Sequence, residues 1–130
     1  MTDTNAPITF RHERDYRAEW NATEDRKVLF TVTKLDHDEH GNVTGERTVE
    51  HTMPNKPNAG LALEYLKRAR RMDPDIAMSW LIEAAVGPEG YDDLTDELAN
   101  PDIPDPLAIL RDLTARIQKV ALGGLEAPKA

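Results

Sequence analysis

Residues 73–87 read DPDIAMSWLIEAAVG. From residue 76 onward Ile76, Ala77, Met78, Trp80, Leu81, Ile82, Ala84, Ala85 and Val86 leave only Ser79 and Glu83 polar. Asp73 is suited to accept from the first free N–H groups of a helix. Pro74 is suited to the first helical position, where it has no N–H to leave unpaired. Gly87 can take the left-handed backbone that ends a helix, and Pro88 blocks continuation. A helix apolar on nearly every side is normally buried on nearly every side. Spanning a bilayer would take about 20 apolar residues. The stretch therefore predicts a core helix around which flanking segments wrap.

The flanks divide into an arm, a hairpin and further helices. Residues 1–25 are polar and charged, with Ile8, Phe10, Tyr16 and Trp20 placed without periodicity, which predicts a mobile N-terminal arm. Residues 26–53 read as a β-hairpin: Val28, Phe30 and Val32 alternate on one face, DHDEHGN makes the turn, and 43–53 alternate again. A lone hairpin is marginal in water, so this one must pack on the helices or pair with another chain. PNKPNAG then breaks the pattern. The helical part, 58–122, starts with an amphipathic helix striped by Leu61, Tyr65, Leu66, Ala69 and Met72. After the core helix, Tyr91, Leu94 and Leu98 recur opposite Asp92, Asp93, Asp96 and Glu97. Asp105 and Pro106 open a last helix with Leu110, Leu113, Ile117 and Val120 on one seam, and residues 123–130 form a C-terminal tail. The expected fold is α+β, mostly α: an N-terminal β-hairpin followed by about four helices around a buried central helix, in a single globular domain over 26–122.

Composition narrows the function. A chain of 130 residues makes one domain with one core. Its net charge of -8 disfavours binding to a phosphate backbone, which needs a dense basic face. Arg68, Arg70 and Arg71 are the basic concentration in the sequence. Without cysteine there are no disulfides, thiolate metal sites or thiol nucleophiles. The first residues lack a basic stretch followed by an apolar run, so no secretory signal is expected.

Catalytic and metal motifs fail on inspection. Asp36, Asp38 and Gly41 match the first, third and sixth positions of a calcium loop. His40 and Arg47 stand where the fifth ligand and the bidentate glutamate belong, and the flanks read as strands. His37 and His40 at a hairpin tip lack groups that would orient them toward zinc. Ser79, the sole serine, lies inside the core helix without a glycine elbow. Asp92, Asp93, Asp96 and Glu97 have the spacing of a wet helix face. The reading is a non-catalytic protein with no cofactor, metal, nucleic-acid or membrane partner. Tyr65, Met72 and Trp80 are the candidates for contact with a partner protein, being residue types that suit adaptable apolar surfaces.

The run from Thr52 to Asp102, with the segment Gly87-Pro88-Glu89-Gly90-Tyr91-Asp92-Asp93-Leu94 at its centre, resembles the tail assembly chaperones of long-tailed actinobacteriophages. The resemblance extends to about Lys129 and, in layout, to the hairpin. It implies a protein that binds the tape measure protein and keeps it soluble while tail tube subunits are recruited. It also implies self-association, residence in the host cell cytoplasm and absence from the mature virion. Genes of this family typically end beside a programmed -1 frameshift that adds a domain contacting the major tail tube protein. Ala127-Pro128-Lys129 can be encoded by a slippery codon run. The alternative is a structural or adaptor protein that stays in the virion.

Overall fold

The computed structural model describes residues 6–10 and 15–123. Among them, four helices and two strands follow the order α1 (Tyr16–Asn21), β1 (Arg26–His37), β2 (Val43–Pro54), α2 (Ala59–Arg71), α3 (Pro74–Leu98) and α4 (Pro106–Ala121). The hairpin-then-helices architecture is the expected α+β, mostly α fold. No helix among the described residues is long and apolar enough to cross a membrane.

Helix starts follow the local sequence. Asn58, Asp73 and Asp105 accept from the backbone N–H of Leu61, Asp75 and Ala108 at 3.2, 2.9 and 3.1 Å. Pro74 and Pro106 occupy the first turns they open. The Asn58 N–H also donates to the Ala121 carbonyl at 2.7 Å, tying the start of α2 to the end of α4. α3 contains the expected core helix and the acidic helix in one element. At Gly87 the backbone turns to φ 87°, ψ 169°, a region essentially reserved for glycine. Pro88 then restarts the helix, so α3 has two halves, 74–86 and 88–98.

The core lies where α3 meets α2, α4 and the base of the hairpin. Met53, Leu81, Ile82 and Ile117 are wholly buried, joined by Trp20, Leu29, Leu61, Leu94 and Leu113. Each such side chain contributes about 1.5–3 kcal/mol by leaving water. The first half of α3 is not enclosed all round. Ala77, Met78, Leu81, Ile82 and Ala85 form its buried face, while Ile76 is 59 % exposed and Trp80 half-buried. On α4, Thr114 and Gln118 join Leu113 and Ile117 inside, which apolar periodicity does not reveal.

Two further expectations change. Residues 15–25 do not form part of a loose arm. Asp15 caps α1 by accepting from Ala18, Trp20 is 4 % exposed, and its indole N–H donates to the Lys56 carbonyl at 2.8 Å. The body therefore begins near residue 15 rather than 26. Residues 1–5 and 11–14 lie outside the described part, while Ile8 and Phe10 are exposed. In β1 the inward side chains are Leu29 and Val32, with Phe30 half-buried and Val28 exposed. The pairing jumps from Val28–Thr52 to Phe30–His51, leaving Leu29 as the extra residue of a bulge. A bulge shifts the alternation by one position, and so replaces Val28 by Leu29 on the core face.

Candidate functional site

The segment 87–94 is where the two halves of the fold are joined. Gly90 is buried, and a Cβ there would stand 2.8 Å from Val86 Cγ2 and 3.1 Å from His51 Nδ1. The missing side chain lets the His51 ring of β2 lie close to α3. His51 Nε2 sits 2.7 Å from Asp93 Oδ2, and an ionised carboxylate only accepts, so the imidazole N–H donates. Lys34 Nζ of β1 reaches Asp93 Oδ1 at 2.9 Å. On its other side the His51 ring meets Phe30, with centroids 5.1 Å apart. Gly87 bends the chain, Pro88 restarts the helix, Gly90 makes room and Asp93 clasps both strands. The segment on which the resemblance centres is thus a docking device for the hairpin.

Hydrogen bonding by Lys34, then by His51, holds the Asp93 carboxyl below the usual aspartate range. A carboxyl with a lowered folded-state pKa stabilises the protein above its unfolded pKa, and that contribution is lost as pH falls through the folded value. We expect Asp93→Asn to cost about 1 kcal/mol near neutral pH, since Lys34 remains partly in solvent and its share is screened. Thermal melting of the variant should also depend less on pH below the ordinary aspartate value of 3.8 than that of the parent. Equal slopes in that range would show that Asp93 does not act as a clasp.

A second place is an open cleft of ≈ 590 Å³ beside the bend, lined by Trp80, Val86 and Pro88 with Arg17, Arg26 and Glu83 at its sides. The first half of α3 ends here, at the bend made by Gly87 and Pro88. Guanidinium groups cover the Trp80 ring: Arg68 lies 4.3 Å and Arg17 5.4 Å from its centroid. Glu64 binds both arginines, pairing with Arg17 and lying 3.5 Å from Arg68. Such contacts are worth about 0.5–1 kcal/mol at exposed sites. The cleft therefore offers an aromatic side chain and an arginine that shares its one carboxylate with Arg68. That suits a peptide carrying an apolar side chain and an acidic group.

Of the sequence candidates, only Trp80 lines this cleft. Tyr65 packs against the core, and burial raises its phenol pKa. Met72 is the half-buried C-terminal cap of α2. Ala127, Pro128 and Lys129 lie outside the described residues. The hairpin turn uses its own acids. Asp38 Oδ1 accepts from His40 N and Asn42 N at 2.9 Å each, and Asp36 pairs with Arg47 at 3.2 Å. Among the described residues no group of three or more His, Asp or Glu side chains is gathered for a metal ion. Sequence reading missed the roles of Arg17, Glu64 and His51. It also missed a cleft of ≈ 350 Å³ that gathers Lys27, Lys56 and Lys119 from β1, the 55–58 connector and α4.

Compared with protein families, curated proteins and solved structures, the chain matches none.

Proposed function

We propose that the protein is a non-catalytic tail assembly chaperone of a long-tailed phage. It binds the tape measure protein and keeps it soluble while tail tube subunits are recruited and polymerise. The observation that carries this reading is the Trp80 cleft: a side chain from the most apolar stretch of the chain, left half-covered at an open groove. The resemblance of residues 52–129 supplies the identity of the client. Copies act together, each binding one stretch of an extended partner, so weak single contacts add up to retention and still permit release. The acidic surface keeps the loaded complex in solution. A longer frameshifted form carries the contact with the major tail tube protein.

The test is co-expression with the tape measure protein of the same phage, reading the fraction of client left soluble. The parent chain should raise that fraction, and Trp80→Ala should lower it several-fold. Because Trp80 is only half-buried, the variant is expected to keep its helical signal and lose about 1–2 kcal/mol of stability. A parent chain without effect on the client would sink the chaperone reading. A Trp80→Ala chain as effective as the parent would remove the cleft from it. Finding the protein in purified virions would favour the adaptor alternative.

A further inference from the structure

Among the described residues, two grooves of opposite charge carry side chains that make no ion pair. On α2, Leu63 is 61 % exposed, and with Leu66, Lys67, Arg70 and Arg71 it lines a shallow groove of ≈ 280 Å³. Between β1 and the second half of α3 runs a groove of ≈ 440 Å³ whose lining includes Leu35, Asp96 and Glu97. Leu35 is 52 % exposed. Asp93 at this groove is already held by Lys34 and His51. Lys67, Arg70, Arg71, Asp96 and Glu97 make no ion pair among the described residues.

We propose that these two grooves meet in a head-to-tail contact between copies of this chain. The α2 face of one copy seats on the β1–α3 groove of the next. Arg70 and Arg71 then face Asp96 and Glu97, and Leu63 and Leu66 cover Leu35. Charge decides the pairing. Two copies with a net charge of -8 repel wherever acid meets acid, so an approach needs a basic face. The Lys27–Lys56–Lys119 cleft is also basic, but none of its lining residues is an exposed large apolar side chain that could match Leu35. The α2 face supplies both parts. Because the two surfaces differ, each added copy leaves one groove open, so assembly continues until the geometry closes. The residues that line either groove are few beside the roughly 20–30 a side of a standard stable interface, so the contact is weak for one pair and strengthens along a shared client. This deepens the proposed function, in which copies act together along one client, and rests on that part of it alone.

Sedimentation of the purified full chain at high protein concentration, without client, tests it. At about 0.1 M salt, species of about two copies or more should form above the 14.6 kDa monomer. They should dissociate near 1 M salt, where screening shortens from about 10 to about 3 Å. Arg70→Glu with Arg71→Glu should give a monomer, as should Asp96→Arg with Glu97→Arg. All four positions are exposed, so both variants keep the fold. Mixing the two variants should restore assembly, because each then meets opposite charge on both faces. Lys56→Glu with Lys119→Glu should leave assembly intact. A parent chain that stays monomeric at low salt and high protein concentration overturns the contact. So does a mixture that does not reassemble, or assembly lost through the lysine variant. A monomeric chain that still solubilises the tape measure protein overturns the contact and leaves the chaperone reading standing. An assembling chain with no effect on that client does the reverse.

Discussion

Trp20→Ala is expected to destabilise the protein by about 3–5 kcal/mol, the range for truncating a buried aromatic side chain. For a body of this size that lowers the melting temperature by roughly 10–20 °C. Trp20 is 4 % exposed, although it belongs to a helix of six residues. So short a helix has no stability of its own in water. The indole is the anchor, and its loss also leaves the Lys56 carbonyl without its donor. With α1 released, Arg17 leaves Glu64 and the face of Trp80. Trp20→Phe separates the two contributions: it keeps most of the apolar volume, drops the hydrogen bond, and should cost about half as much. Trp80 is the only other tryptophan, so in either variant its fluorescence reports on the cleft directly. A melting temperature unchanged in Trp20→Ala would put residues 15–25 outside the cooperative body after all.

Gly90→Ala should be destabilising by about 1–3 kcal/mol, against the sign that helix propensity alone suggests. In an ordinary helix interior the change from glycine to alanine gains up to about 1 kcal/mol. Here the new methyl would lie 3.0 Å from Val86 Cβ and 2.8 Å from its Cγ2. Valine is stiff at χ1, and a Cβ atom is fixed by the backbone, so rotation does not relieve the collision. The His51 ring on the other side is held by Asp93 and Phe30. Moving it would lift β2 from α3. Denaturant unfolding of Gly90→Ala, Val86→Ala and the double variant tests this, because the collision predicts that the double variant is more stable than the two single losses added together. Strict additivity would mean that Gly90 is not a point of close approach.

The parts of this fold that could be read in the sequence are those that short-range chemistry decides. Asp73 with Pro74 and Asp105 with Pro106 start helices through bonds to residues two or three positions away, and both pairs act where expected. Gly87 and Pro88 likewise mark the bend in α3. The hairpin followed from its turn and alternation, but its core face did not. Leu29 is inward because one residue is inserted in the pairing with β2, and no residue near Leu29 announces that. Trp20 was out of reach for the same kind of reason, since its acceptor on Lys56 is 36 positions away. Of the three residues singled out for binding, Tyr65 and Trp80 both pack half-buried against the core, and Trp80 alone also lines the open cleft beside the bend. Composition does not separate them. The arginines that frame Trp80 come from α1 and α2, and only the packing brings them together.

Past the Lys34–Arg47 pair, the remaining strand residues of the hairpin are exposed, while Met53 and Pro54 at its base are wholly buried. The bonds of the ladder are alike, but what must open to break them is not. Near the turn, an amide can exchange its proton with solvent through a small local fluctuation. Near Met53 it must wait for the core to come apart. Along one continuous pair of strands, then, protection should climb by orders of magnitude over about ten residues. Two clocks run in the same sheet: a fast one at the tip, set by the hairpin alone, and a slow one at the root, set by the entire protein.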